Sequence, residues 1–399
     1  MHSVANMSIA QTRPRGRKSD VLSAAAALFA ERGYAAVSVD EIGERAGITG
    51  SGIYNHFDGK ESLLAAVIIG VAEQLASAAE KATSPPSGDA KTDLRRFAEA
   101  IFAATKDLGD AAQAYVREMP RLRASDKRVV RRADERLLQV ARRLVGEVAP
   151  GITEQSFLLR NAVVSGVVIA IARDRSLLSR RAPHKIIADA ALAVFQLPAP
   201  AANDAKQRVT GARAPWLPPP SRRDEILATA TQLFAERTYH DVSMEDIGAK
   251  VGVTAAAIYR HFASKADIVS EAYVRVGSRT VAGMEQALRT ATSADGALEA
   301  LVRAYAIAAL DASDLFVVAA QTVTELGPED AGRVRRTQRH LLDTWTHVIR
   351  AARPQLSEPH ARVLATAGIA AITQAAMIPR SAAPPLAELE AITLALVRA

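Results

Sequence analysis

The chain of 399 residues contains no cysteine. That excludes disulfides, thiolate catalysis, cysteine-type zinc sites and thiol redox sensing. It also lacks any sustained alternation of apolar and polar residues, so strands are not expected and the chain reads as nearly all α-helical. There is no glycine-rich phosphate loop, no H-E-x-x-H and no G-x-S-x-G. The eight histidines are scattered, and His340 and His347 have no carboxylate partner at metal-ligand spacing. No enzyme activity, metal or cofactor is therefore expected. The first residues lack the apolar core of a signal peptide. The most apolar run, residues 162–172, is about half the roughly 20 residues a spanning helix needs. A cytoplasmic, nucleoid-associated protein with no membrane contact is the expectation.

What is present is a globular composition, 49% hydrophobic and 23% charged, with a net charge of +7. A positive balance favours an anionic partner. Basic residues cluster at Arg13, Arg15, Arg17 and Lys18, and again at Arg222 and Arg223. The most informative feature is an internal repeat. Leu28 to Phe57 returns as Leu233 to Phe262, offset by 205 residues without a gap, with about half the positions identical. Copies so far apart are two whole domains in one chain, each long enough to bury its own core.

Each copy begins with three short helical patterns. The first starts at Ser19, read as its N-cap, and ends before Gly33. Ser38 with Glu41, and Ser243 with Asp246, read as capping boxes that open a second helix. Gly47 and Gly252 mark a turn, and Thr49 and Thr254 cap a third helix extending to Phe57 and Phe262. Asp58 and Ser264 are candidate caps of a long fourth helix. The remaining breaks fall at prolines and glycines: residues 84–88, Pro120, Pro150-Gly151 and Pro183, then Asp295-Gly296, Gly327-Pro328, Pro354 and Pro384-Pro385. These divide the chain into a flexible basic arm (1–18), a first three-helix domain (19–64) and a first helical body (65–196). An Ala/Pro-rich linker containing Trp216 (197–220), a second three-helix domain (221–269) and a second body (270–399) follow.

The three-helix pattern is that of a helix-turn-helix, whose second helix enters the major groove of DNA. Ile42, Ile53, Phe57 and Leu28, with Ile247, Ile258, Phe262 and Leu233, have the spacing of a small core. The positions left exposed are Gly50, Ser51, Gly52, Tyr54, Asn55 and His56 in one copy and Ala255, Ala256, Ala257, Tyr259, Arg260 and His261 in the other. Thr49…Ile53-Tyr54-Asn55-His56-Phe57…Lys60 and Thr254…Ile258-Tyr259-Arg260-His261-Phe262…Lys265 resemble the N-terminal DNA-binding domain of TetR-family transcriptional regulators, over about 45 residues per copy. A chain with two such units resembles a smaller, actinobacterial-type group, some of which control lipid-uptake or lipid-breakdown operons.

The resemblance implies an all-α fold of two tandem TetR-like units and a double-stranded DNA operator as partner. Thr49 and Thr254 would reach phosphates, as would the hydroxyls of Tyr54 and Tyr259 and the ammoniums of Lys60 and Lys265. His56 and His261 would lie at the DNA face. Each has a second reading: the tyrosines close a mini-core, the histidines are structural, the lysines are solvated. Ser51 and Asn55 offer polar base contacts, Asn suiting adenine. Ala256 and its neighbours can meet only thymine methyls, while Arg260 suits guanine or a phosphate. An asymmetric operator is therefore expected. Arg15 and Arg17 in the arm would enter a minor groove or add phosphate contacts, unless the arm is only a disordered basic tail.

Family dimers associate through their last two helices. The matching segments, 154–179 with 184–196 and 358–378 with 386–398, are expected to pack inside one chain as a pseudo-dimer, with Gly166 and Gly368 permitting close approach. A homodimer of such chains is the alternative. The bodies would enclose a small hydrophobic effector, lipid- or acyl-CoA-like by resemblance. Candidate lining residues are Phe97, Ile101, Phe102, Tyr115, Arg117, Glu118 and Met119 in the first body and Tyr305, Leu315, Phe316, Gln321 and Glu325 in the second. Aromatic stripes at helical spacing also read as plain core. The overall expectation is a ligand-responsive repressor. Two others stay open: only one head reads DNA, or the chain is a scaffold or anti-regulator whose heads do not bind it.

Overall fold

A computed structural model describes residues 17–173, 183–198, 221–237, 239–322, 326–378 and 383–399. Arg13, Arg15, Trp216, Glu325 and the linker beyond Pro198 lie outside these residues, and so does the side chain of Gln321. Among the described residues the chain is helical and has no strand. The first half contains α1 (Arg17–Arg32), α2 (Val39–Ala46), α3 (Gly50–Ile53), α4 (Lys60–Ala82), α5 (Ala90–Leu108), α6 (Asp110–Glu118), a 3-10 turn (Met119–Arg121), α7 (Ala124–Val148), α8 (Glu154–Arg173) and α9 (Pro183–Phe195). The second half contains α10 (Arg222–Arg237), α11 (Met244–Val251), α12 (Ala255–Tyr259), α13 (Lys265–Thr290), α14 (Ala294–Asp311), α15 (Ser313–Thr322), α16 (Pro328–Ala352), α17 (Glu358–Ala376) and α18 (Leu386–Arg398).

The chain forms two compact units. One comprises the residues up to Glu73 together with Asp110–Arg132; the other comprises Gln74–Gly109 and Ala133–Ala399. In the first, α1 to α3 bury Val21, Leu28, Phe29, Ile42, Ile53 and Phe57, and α4 adds Leu63, Leu64 and Ile68. In the second, the matching Ile226, Leu233, Phe234, Ile247, Ile258 and Phe262 form one cluster with Ile268 and Val269 of α13 and Leu315 and Val318 of α15. Burial of each such large side chain contributes about 1.5–3 kcal/mol. The four side chains anticipated as the core of each head are all buried.

The second unit also holds the four-helix bundle: α8 packs on α17, α17 on α18, and α9 on α8, α17 and α18. The halves of the chain thus meet inside one polypeptide, as a pseudo-dimer. The two glycines do different work. A side chain at Gly166 of α8 would come within 2.9 Å of Gln374 on α17, so this glycine does permit the crossing of the two halves. Gly368 faces inward on its own half, where a side chain would meet Trp345 at 2.5 Å and Val397 at 2.8 Å. Between α8 and α18 the Ser156 hydroxyl donates to the buried Glu388 carboxylate. Arg160 of α8, 1% exposed, donates to the carbonyls of Leu197 at 2.6 Å and Pro198 at 2.8 Å. It thereby places a cation at the C-terminal end of α9. Burial lowers the pKa of this guanidinium, and Glu388 opposes the shift.

Several local expectations are corrected. α1 begins at Arg17, so Ser19 lies inside the helix and is not its N-cap; Arg17 and Lys18 are good helix formers and extend it. Asp58 does not cap α4, because Gly59 intervenes and its carbonyl takes the first helical bond, from Leu63. Ser264 does cap α13, accepting from the Asp267 N–H at 3.1 Å. The apolar stretch of α8 also runs further than the sequence suggested. Lys60–Ala82 and Glu154–Ala172 are both long and apolar enough by composition to cross a membrane. Here α4 buries Leu63, Leu64, Ile68 and Val71, and α8 lies in the bundle.

Candidate nucleic-acid interface

Each head is built by reciprocal caps. The Ser38 N–H donates to the Glu41 carboxylate at 2.7 Å, and the Glu41 N–H donates to the Ser38 hydroxyl at 3.2 Å. Ser243 and Asp246 repeat the arrangement at 2.9 and 3.0 Å. Arg32 reaches Glu41 at 2.6 Å and Arg237 reaches Asp246 at 3.2 Å, tying the end of each first helix to the start of the second. Donation from Arg32, then from the Ser38 N–H, holds the Glu41 carboxyl at about 2; the Ser243 N–H and hydroxyl, then Arg237, hold Asp246 at about 2. Gly47 and Gly252 end the second helices at φ 71° and 79°, in the left-handed region that glycine occupies without a side-chain clash.

The crossing of the second and third helices depends on two glycines that the sequence reading passed over. A Cβ at Gly43 would lie 2.9 Å from the backbone at Thr49 and Gly50, and one at Gly248 would lie 2.7 Å from the Val253 carbonyl oxygen. The signal was available: both positions are glycine in the repeat. Thr49 then caps α3 by accepting from the Gly52 N–H at 3.2 Å, and Thr254 caps α12 by accepting from the Ala257 N–H at 3.3 Å. Both third helices stop short of Phe57 and Phe262. α3 has four residues and α12 five; glycines at 50 and 52, against alanines in the second copy, weaken the first.

What these short helices present is chemically unequal. Tyr54 and Tyr259 are exposed, at 59% and 53%, so neither closes a mini-core. Ser51, Asn55 and His56 are also exposed, and Ser51 shares a 3.0 Å hydroxyl contact with Thr49. In the second head Thr254, Ala256 and Arg260 are exposed, whereas Ala255, Ala257 and His261 are half-buried. The neighbouring basic residues differ as well. Lys18 lies 5.5 Å from the Phe57 ring centre. Arg223, at the matching position, lies 4.1 Å from that of Phe262, pairs with Glu271 and donates to the His261 carbonyl. Arg17 is exposed at the start of α1, and Arg222 pairs with Glu225 at 2.6 Å.

Lys60 and Lys265 are placed differently from the expectation. The Lys60 ammonium donates to the carbonyls of Tyr34 at 2.9 Å and Val37 at 2.7 Å and lies 4.3 Å from the Tyr34 ring centre. Lys265 does the same with Tyr239 at 2.9 Å, Val242 at 2.8 Å and the Tyr239 ring at 4.6 Å. Neither ammonium is merely solvated, and each has two of its three donors on backbone carbonyls. They staple the turn between the first two helices to the start of the long helix.

The candidate pocket residues also divide. Phe97 packs in a core with Leu94, Leu144, Phe157 and Phe195, and Phe102 is buried in the large bundle cluster. Tyr305 is buried edge-on against Trp345, with its hydroxyl 3.4 Å from that of Thr373. Leu315 belongs to the core of the second head, while Ile101 and Phe316 are half-buried against the bundle cluster. In the first unit Glu118 is buried, accepts from the Tyr34 N–H at 3.1 Å and pairs with Arg117 at 3.3 Å and Arg121 at 2.9 Å. Arg117 lies directly over Gly33. In the first unit the Glu118 carboxylate is thus held by the Tyr34 N–H of the head and by two arginines. Tyr115 and Met119 are half-buried on the same segment. Two surface depressions, of about 210 and 430 Å³, are lined by residues of α13 with α16 and of α1 with α2, and by none of these candidates.

Comparison with known proteins agrees with this geometry. Residues 21–67 and 226–272 each match the N-terminal domain of the bacterial regulatory proteins of the tetR family. Over 89 residues the chain is 36% identical to the HTH-type transcriptional activator FasR of Mycolicibacterium smegmatis, covering 22% of this chain and 41% of that protein. Over 60 residues it is 43% identical to the HTH-type transcriptional repressor KstR2 of Rhodococcus jostii, covering 15% and 29%. The chain thus spans less than half the length of these relatives. The crystal structure of the TetR-family regulator PfmR from Thermus thermophilus aligns with a TM-score of 0.40 and 23% identity, over 44% of this chain and 95% of that one. In one polypeptide, then, two domains of the tetR-family DNA-binding type stand in register, in tandem.

Proposed function

We propose that this protein is a sequence-specific DNA-binding regulator, a ligand-responsive repressor whose two heads read the unlike halves of an asymmetric operator. The reading rests above all on the two exposed faces. Matching helices carry exposed Ser51, Tyr54, Asn55 and His56 on one head, and exposed Ala256, Tyr259 and Arg260 with a half-buried His261 on the other. Tyr54 and Tyr259 would bond phosphates and fix the register, as side-chain hydroxyls commonly do. Asn55 would read adenine and Arg260 guanine, with Ala256 against a thymine methyl. Thr49 and Thr254 would add phosphate contacts beside their caps.

The effector is proposed to be small and hydrophobic, of lipid or acyl-CoA type, entering the first body beside Tyr115 and Met119. Movement of α6 would then pull on the head, because the Glu118 carboxylate holds the Tyr34 N–H. A pseudo-dimer complete in one chain is the proposed binding form. The relatives carry opposite signs in their names, one an activator and one a repressor, so the sign is tested directly by reporter expression.

The test is a mobility shift on the DNA upstream of the protein's own gene, with wild type beside Tyr54→Ala and Tyr259→Ala. Specific binding weakened by each variant supports two reading heads. A loss with only one variant leaves a single specific head, a reading that the alanine-rich face of α12 favours. No preference over random DNA, after selection from a genomic library as well, would sink the proposal.

A further inference from the structure

The positive charge of this chain does not sit on its heads. Residues 17–67 hold five Lys and Arg against seven Asp and Glu, and residues 221–272 hold six against eight. Most of those cations are also occupied: Arg32, Arg45, Arg222, Arg223 and Arg237 by carboxylates, Lys60 and Lys265 by carbonyls. A protein that binds duplex DNA gains most of its non-specific affinity by neutralising phosphates with Lys and Arg. Heads of net negative charge supply little of that.

Part of the missing charge lies on α7 and α16, which hold twelve Lys and Arg against seven Asp and Glu. Val130-Arg131-Arg132…Leu137-Leu138 returns as Val334-Arg335-Arg336…Leu341-Leu342, offset by 204 residues. Val130 and Leu341 are buried and face inward. Arg128, Arg131 and Arg132, and likewise Arg335, Arg336 and Arg339, are exposed and make no hydrogen bond or ion pair among the described residues. Their neighbours on the same helices do: Arg136 with Glu80 at 2.9 Å, Arg142 with Glu154 at 2.9 Å, Arg333 with Asp330 at 3.1 Å. Within each triad the spacings are i, i+3 and i, i+4, so three like charges share one face. That arrangement costs a helix a few tenths of a kcal/mol per pair. An anion laid along the face would reverse the sign.

Each triad also belongs to the same unit as one head and starts near the first turns of the long helix that follows that head's short helices. Arg123, just before α7, pairs with Glu61 in the first turn of α4. Arg128 to Arg132 follow at roughly 8–14 Å along the helix, from its rise per residue. Asp330 and Arg333 line a depression with Asp267, Ser270 and Glu271 in the first two turns of α13. Arg335 to Arg339 lie roughly 3–9 Å further on.

We propose that the two arginine triads are a second, sequence-independent DNA contact, taking phosphates of the duplex that flanks the sites read by the heads. The contact presupposes that the heads bind DNA. The full chain would be titrated, across a salt series, with the operator trimmed to the footprint of the heads and with the same operator in long flanks. It would be compared with Arg128→Gln/Arg131→Gln/Arg132→Gln and with Arg335→Gln/Arg336→Gln/Arg339→Gln. On the long duplex each triple variant should lower the slope of log affinity against log salt by up to about 0.9 per lost contact, with the preferred sequence unchanged. On the trimmed duplex it should change nothing. The variants should melt no lower than wild type, since the substitutions relieve repulsion. Wild-type slopes that do not depend on flank length, or variant slopes equal to wild type on long DNA, overturn the contact, as they would if the triads instead met an acidic protein. Tyr54→Ala and Tyr259→Ala separate the two ideas, because they weaken binding to both lengths. Intact specific binding with unmoved slopes overturns the arginine contact alone, whereas absence of specific binding at either length overturns the reading beneath it.

Discussion

Replacing Lys60 by methionine keeps the length of the side chain and removes its charge. The ammonium makes two hydrogen bonds, to Tyr34 and Val37, and lies over the Tyr34 ring. A hydrogen bond to a charged group is worth about 1.5–3 kcal/mol net when buried, and a cation over an exposed ring about 0.5–1 kcal/mol. The lysine is only half-buried, so water recovers part of the loss, and about 2–4 kcal/mol of local stability should disappear. At about 1.4 kcal/mol per tenfold, amides of the turn at residues 33–38 should exchange hydrogen roughly thirty- to several-hundred-fold faster.

Exchange read peptide by peptide is the right assay, because a chain with two compact units has no single unfolding free energy. The second head is an internal control, since its own staple at Lys265 is untouched. Salt dependence of DNA binding is the counter-assay. If Lys60→Met leaves protection of the turn unchanged but lowers the salt slope by about 0.9, the ammonium serves a phosphate and the staple argument is refuted. The same pair of measurements on Lys265→Met should give the same answer.

Gly248→Ala should destabilise the second head by about 1–3 kcal/mol, because the new methyl would meet a backbone oxygen at 2.7 Å; Gly70→Ala, with nothing within 4 Å in mid-helix, should stabilise by about 0.5–1 kcal/mol, and thermal melts compare the two. Glu41 and Asp246 titrate at about 2 in the folded heads, below their ordinary values of 4.5 and 3.8. Their contribution is therefore complete above those values and lost as pH falls towards 2; acid titration by circular dichroism should show a shallower loss in a Glu41→Gln/Asp246→Asn variant, and identical curves would contradict this. Arg160→Met should cost about 1–3 kcal/mol in denaturant unfolding for the buried acceptors it leaves without a donor, since it strips the carbonyls of Leu197 and Pro198 at the end of α9 and removes the cation that acts on Glu388. Adding Glu388→Gln should recover part of that.

How much of this was legible in sequence depended on the reach of each interaction. Ser38, Thr49, Ser243 and Thr254 were readable as caps because their partners lie three residues away. Gly47 and Gly252 were readable because a left-handed turn asks for glycine. Lys60 was not, since its carbonyls lie 26 and 23 residues earlier. Nor was Glu118, whose partner at Tyr34 lies 84 residues away. Both carry charge at the end of a helix, and nothing in a helical pattern distinguishes a charge that meets backbone from one that meets a ligand. Whether Phe97, Phe102 and Tyr305 line a pocket was not legible for a related reason. Periodicity places an aromatic side chain on an inward face but is silent on whether that face is filled, and here Trp345 and the bundle helices fill it. The bundle itself could be read only through the resemblance, which implies association through the last two helices of each unit; composition adds that the matching segments are apolar and rich in small residues.

The repeat hides one difference that bears on how the heads act. In the second head Arg223, Asp224, Glu271 and Arg275 form a connected network, Arg275 meeting both Asp224 and Glu271. Burial works against the Glu271 carboxylate, yet the two guanidiniums hold its pKa below the ordinary value. The matching residues of the first head are Lys18, Ser19, Ala66 and Gly70, which cannot build it. Glycines at 50 and 52 loosen the first reading helix further, where the second has alanines. The first head should therefore exchange its α3 amides faster than the second exchanges those of α12 in free protein, and gain more protection when operator DNA is added. Order gained on binding is lost affinity. Gly52→Ala, which brings a methyl no nearer than 3.4 Å to its neighbours, should then slow that exchange and tighten binding at the first half-site. Equal protection of the two heads in free protein would show that the ion network does not stiffen the second. Tightening at neither half-site with Gly52→Ala would show that the looseness of α3 is not what limits the first.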